Sequence, residues 1–153
     1  MRIPIAVLLL VILGPGREAR KECRPQGVWQ LVSGAADGTA YPSTMRQMKV
    51  ITKTHFAFVR EESNRGVKEM TSPADSLQAF RTMFAGGGTY TLQGMTYTEN
   101  FEYFADPAYV GRSVSFTCRT EGNRLYQNGI FPILRNGQRV RDAKLEEIYR
   151  RIE

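Results

Sequence analysis

Cysteine, histidine and tryptophan are scarce in this chain: two, one and one among 153 residues. Two cysteines and one histidine cannot build the usual closed zinc site, which takes four Cys or His ligands. They also exclude a disulfide-dense mini-protein. Long apolar runs are missing apart from residues 3–13 (IPIAVLLLVIL), which excludes a polytopic membrane protein. Charge of one sign does not dominate either. Lys and Arg number 21 against 15 for Asp and Glu, an excess of six spread along the chain. There is no internal repeat, no low-complexity tract and no linker after residue 26, and the length suits one domain.

Motifs for familiar chemistry are also absent. Gly86-Gly87-Gly88 is followed by no Gly-Lys-Ser/Thr, so it is no phosphate loop and reads as a permissive turn. No nucleophile elbow occurs, and Ser113 and Ser115 have no histidine beside them. Glu146 and Glu147 are neighbours, which puts them on opposite faces of a strand. The basic tail (Arg135, Arg139, Arg141, Lys144, Arg150, Arg151) is broken by Asp142, Glu146, Glu147 and Glu153. It reads as a solvated face, with no nucleic-acid partner and at most peripheral membrane contact. No cofactor, metal or catalytic residue is expected, and the sequence does not set the oligomeric state.

What is present begins with the N-terminus. Met1-Arg2, the apolar run and Gly14-Pro15-Gly16 together describe a secretory signal peptide over 1–19, with an unclear cleavage point. An 11-residue helix would be about 16 Å long, short of the roughly 30 Å hydrocarbon core. The expected compartment is therefore secreted or periplasmic. Residues 20–26 form a short leading segment, and 27–153 the folded domain. Arg20-Lys21-Glu22 before Cys23 lacks the small apolar residues of a lipidation site. In an oxidising compartment Cys23 and Cys118 can pair; the alternative is two free thiols, with Cys118 a small buried hydrophobe.

Strand patterns dominate the domain. Segments 27–33, 48–52, 54–60, 88–93, 95–104, 112–120, 124–131 and 143–152 are rich in β-branched and aromatic residues or alternate with period two. Asn136-Gly137 is a strong hairpin signal. A single helix is marked by Ser72-Pro73-Ala74-Asp75, which offers an N-cap, a first-turn proline and an acid. Leu77, Phe80, Met83 and Phe84 follow at helical spacing, a stripe that reads as a barrel plug or a lid. About eight short antiparallel strands and one helix predict an all-β, up-and-down barrel, since closure removes exposed edges.

Gly27-Val28-Trp29 has the G-x-W spacing that opens the first strand of lipocalins and their calycin relatives. Segments 49–57 (KVITKTHFA), 86–92 (GGGTYTL), 96–100 (TYTEN) and the closing EEIYRRI resemble small secreted bacterial lipocalin-like domains of unassigned function. The resemblance covers roughly residues 26–153. It implies a barrel whose base is closed by a late basic residue, Arg150 or Arg151, packed over Trp29. It implies no activity. Where this chain has Asn100 the subgroup often has histidine, a departure that argues against carrying over any metal role.

The candidate site is built from polar residues on apolar strand faces. His55 shares a face with Ala57 and Val59. Glu99 shares one with Tyr97, Phe101 and Tyr103, and Arg112 heads the face of Val114, Phe116 and Cys118. With Tyr126 these are expected to line a cavity for a small, mostly apolar ligand. The alternative is a filled barrel in which His55, Glu99 and Arg112 satisfy one another. The competing functions are an isomerase or proton-transfer enzyme with His55 or Glu99 as base, and a packed structural or envelope interaction module.

Overall fold

The computed structural model describes residues 22–62 and 69–153; the expected signal peptide lies outside them. Among these residues nine strands run in chain order: β1 Gly27–Ala36, β2 Thr39–Ala40, β3 Arg46–Ile51, β4 His55–Glu61, β5 Met83–Gln93, β6 Thr96–Phe104, β7 Ser113–Glu121, β8 Arg124–Arg135 and β9 Gln138–Arg151. One helix, α1 Pro73–Arg81, sits between β4 and β5, and a 3-10 turn at Pro107–Tyr109 between β6 and β7. β1 and β3 to β9 pair antiparallel in that order, β1 also pairs with β9, and β2 pairs antiparallel with β1 alone. The result is the expected closed eight-stranded up-and-down barrel, with β2 as a short flap on β1.

The turns divide the barrel into two ends. One end, the base, holds the loops at 52–54, 94–95 and 122–123 together with the leading segment 22–26. The other, the mouth, holds 37–45, α1, the 3-10 turn and Asn136-Gly137. At that last hairpin both residues have positive φ, 51° and 73°, the geometry that fits the twist of two paired strands. This turn lets β8 and β9 run longer than the sequence suggests, from Arg124 to Arg151.

The base is sealed. Trp29 is wholly buried, its indole donating to the Pro25 carbonyl at 2.6 Å. The Arg151 guanidinium lies 4.2 Å from the indole centroid and donates to the Gln26 carbonyl at 2.5 Å. Arg150 faces out and donates to Gln30 at 3.1 Å. Of the two candidates, Arg151 is the cap. A disulfide joins Cys23 to Cys118 on β7, with Cα atoms 5.4 Å apart, and Thr120 N donates to the Glu22 carbonyl beside it. The leading segment is thereby held beneath the barrel.

Two expectations about the mouth need correction. Ser72 does cap α1, accepting from Asp75 N at 3.2 Å. The helix ends at Arg81, however, and β5 begins at Met83. Period two replaces the helical spacing there. Leu77 and Phe80 are 48% and 56% exposed, so the stripe is neither plug nor lid, and only Phe84, as a strand residue, turns inward. The glycine run is likewise no turn: Gly86, Gly87 and Gly88 lie within β5. A Cβ on Gly86 would meet the Phe104 and Phe58 rings at 2.7 and 2.9 Å, and one on Gly88 would meet the Asn100 carbonyl oxygen at 2.1 Å. The run is bare because rings and backbone approach it.

The cap can be tested directly. Arg151→Ala is expected to lower unfolding free energy by about 1–2 kcal/mol, between the values for an exposed and a fully desolvated cation–aromatic contact. Arg150→Ala should stay within about 0.5 kcal/mol, as for an ordinary surface change. Urea unfolding of both variants checks the difference.

Candidate binding site

Inward side chains fill the base half of the barrel and leave the mouth half hollow. Trp29, Tyr97, Cys118, Leu125 and Tyr149 are fully buried and pack the base. Above them lies a cavity of about 240 Å³ that opens at the mouth. Its walls are aromatic: Phe58, Phe84, Phe101, Phe116, Phe131 and Tyr109. Among them Phe131 meets Phe84 and Phe101 edge to face at 6.2 and 6.4 Å, the arrangement their quadrupoles favour. Ala36 and Ala143 also line the cup, and their small side chains leave room.

Five charged side chains line the same cup; Arg141 pairs with Asp37 at the mouth at 2.8 Å, and the other four form two clusters. On the first, Lys49 Nζ donates to Glu99 Oε1 and to Gln127 Oε1, each at 2.8 Å. Lys49 and Glu99 are both almost fully buried. The ammonium also lies 5.5 Å from the Phe116 and Tyr149 rings. On the second, Arg60 pairs with Glu147 and donates from Nε to Gln47 at 2.5 Å. Tyr149 and Tyr41 both donate to Glu147, the latter at 3.1 Å, and Gln47 Nε2 donates to the Tyr149 hydroxyl at 2.7 Å. Pairing offsets the desolvation that isolated charges would suffer there.

The surroundings shift these groups in a consistent way. Burial pushes the Glu99 carboxyl above its ordinary value; Lys49 pulls it back, and Glu147 adds to the rise. Burial and then Glu147 push the Tyr41 phenol up to about 12. Burial raises Tyr97 and Tyr149 as well, with Glu99 adding to the first and Glu147 and then Glu99 to the second. Burial works against the Arg60 charge, but Glu147, Tyr149 and Tyr41 outweigh it, and its pKa rises. The phenols thus remain neutral donors near neutral pH. Among the described residues, no group of three or more His, Cys, Asp and Glu side chains gathers where it could hold a metal ion.

The structure divides the residues expected from the sequence. Glu99 lies in the cup. Tyr97 is inside the barrel but beneath the cavity, its ring 5.0 Å from Tyr90. His55 is outside: Phe56 and Phe58 take the inward face of β4, and the imidazole meets Thr54 Oγ1 on the surface at 2.8 Å. The larger rings claimed the interior over Ala57 and Val59. His55 and Glu99 therefore share no site, which removes His55 as a base in the cup and breaks the expected His55–Glu99–Arg112 network. Arg112 is exposed at the mouth and donates to the carbonyls of Ala108 and Gly137 at 2.8 and 2.9 Å. It braces the 3-10 turn against the β8–β9 hairpin and does not touch Glu99. Tyr126 faces out from β8, beneath the Arg119 guanidinium at 4.0 Å. Tyr103 is 73% exposed. A bulge pairs Gly87 with Tyr103 and Gly88 with Phe101, so Glu102 is skipped and Phe104 turns in instead.

Tyr41, Gln47, Lys49, Arg60 and Glu147 went unseen by sequence reasoning. On β3 the polar residues Gln47 and Lys49 point in while Met48 points out, 42% exposed. Simple alternation of apolar residues inverts that strand. One usable signal was the parity of Phe56, Phe58 and Arg60, since two large rings mark the buried face. Compared with known proteins, the chain matches no protein-family model and no curated protein.

The Glu99 shift has a sign that can be measured. The unfolded carboxyl titrates near the ordinary 4.5, and the folded one higher. Between the two, the folded protein holds a proton that the unfolded chain has released, so stability falls as pH rises through that window and levels above it. Urea unfolding from about pH 4 to about pH 8 should show this slope in the wild type and lose it in Glu99→Gln, which cannot titrate. An identical slope in both would assign the effect to other groups.

Proposed function

We propose that the chain is an exported lipocalin-like protein that holds one small, mostly apolar molecule in the cup of its barrel. The observation that carries this reading is the aromatic-walled cavity of about 240 Å³, open at one end and closed at the other. Liquid water takes about 30 Å³ per molecule, so the space exceeds what a few waters fill. A cavity of about 150 Å³ accepts benzene, so this cup takes a single ring with substituents rather than a long lipid. Aromatic walls with a few polar anchors are the usual make-up of a ligand site. Export is supported by the leader-like pattern of residues 1–19 and by the Cys23–Cys118 disulfide, since such bonds persist in oxidising compartments. The lipocalin-like kinship rests on the G-x-W opening and on Arg151 over Trp29.

A fluorinated ring is a direct probe. Titration of para-fluorotoluene followed by fluorine NMR should give saturable binding with a dissociation constant on the order of 0.1–1 mM. Ala143 lines the cup, so Ala143→Phe should fill it and abolish binding while the far-UV spectrum stays that of the barrel. His55→Ala should leave binding unchanged. Equal binding to the wild type and Ala143→Phe would place the probe elsewhere and remove the reading.

A further inference from the structure

The two ionic clusters of the cup differ in how completely they are satisfied. Around Glu147 every partner is in place: Arg60, Tyr41 and Tyr149 all meet its carboxylate, and Gln47 ties Arg60 to Tyr149. Around Glu99 the network is left open. Lys49 uses two of its three protons, on Glu99 and Gln127. The Glu99 bond goes to Oε1 alone. Beside it, the buried Gln127 Nε2 has no hydrogen-bond partner, while the Tyr97 hydroxyl is turned toward Glu99 from beneath. Buried polar groups are nearly always paired, so the unused Lys49 proton on the cavity wall, with the open Gln127 amide next to it, calls for an occupant.

Depth and charge narrow what that occupant is. Lys49, Glu99 and Phe116 lie at the inner end of the cavity, where the packed base begins. The cup carries Lys49 and Arg60 against Glu99 and Glu147, and Arg141 at its mouth is paired with Asp37, so the charges cancel. An anionic head would meet two carboxylates and a cationic head two basic groups, both at low dielectric. A neutral head avoids either conflict. Lys49 offers a donor and Glu99 an acceptor side by side. We propose that this cup selects a neutral, ring-sized molecule bearing an adjacent hydrogen-bond acceptor and donor, as in a primary amide, seated on Lys49 and Glu99. This rests on the binding reading given above and adds the chemistry of the ligand's polar end.

Three probes of one size separate the possibilities on the wild-type protein: para-fluorobenzamide, para-fluorotoluene and para-fluorobenzoate, titrated by fluorine NMR near neutral pH. The amide is expected to bind about tenfold or more tighter than either of the others. In the double variant Lys49→Met/Glu99→Leu the amide should fall to the level of the toluene, whose own binding persists. Should that variant fail to fold, the wild-type ranking decides together with nuclear Overhauser contacts, which must place the amide protons against Phe116. Toluene binding as well as the amide overturns the proposal and leaves the binding reading standing. Benzoate binding best overturns it in favour of an anion. If none of the three binds, the binding reading fails and takes this proposal with it.

Discussion

A lysine and a glutamate facing each other inside a closed barrel constrain everything around them. Lys49 and Glu99 stand on strands far apart in sequence, and only closure of the sheet brings them to 2.8 Å. Once out of water, neither charge tolerates loss of the other. The register of β3 against β4, and of β5 against β6, is therefore tied to a polar contact as well as to apolar packing. A slip of one residue would turn both charges out and both faces over. Gln127 completes the arrangement from β8, so the cluster reaches across the barrel.

The two ends of the barrel serve this interior differently. At the base, Arg151 over Trp29, the leading segment and the disulfide exclude water beneath the pair. At the mouth, small residues and a bulge keep space open. Ala36 and Ala143 leave volume, bare Gly86 admits the Phe58 and Phe104 rings, and the skipped Glu102 swings Phe104 inward. Arg112 holds the 3-10 turn so that Tyr109 stacks on Phe104 at 4.6 Å. The result is a half-filled barrel with apolar walls and a polar inner end.

The barrel was legible from the sequence because its strands alternate and its turns carry Gly and Asn. The cap was legible to within one residue, since Arg150 and Arg151 are adjacent and strand parity alone separates them. The site was less legible. Glu99 was found because Tyr97 and Phe101 flank it on one face. His55 and Tyr126 misled because β4 and β8 carry apolar residues on both faces; on β4 the Phe56 and Phe58 rings take the interior, whereas on β8 Leu125 and Gln127 are buried and the Tyr126 ring faces out. Tyr103 was misplaced by a bulge, which shifts parity without a sequence mark other than the glycines opposite. Lys49, Arg60 and Glu147 were hidden because a buried charge is recognised by its partner, and the partners lie on other strands.

The Lys49–Glu99 pair thus fixes register and presents polar atoms to the cup without adding net stability to the barrel. The most direct test is the unfolding free energy of Lys49→Met, Glu99→Leu and the double variant. Each single change should cost about 3–5 kcal/mol by stranding a buried charge, and the double should return to within about 1 kcal/mol of the wild type or exceed it. A double variant that loses as much as the two single changes combined would make the pair a structural strut and contradict the account.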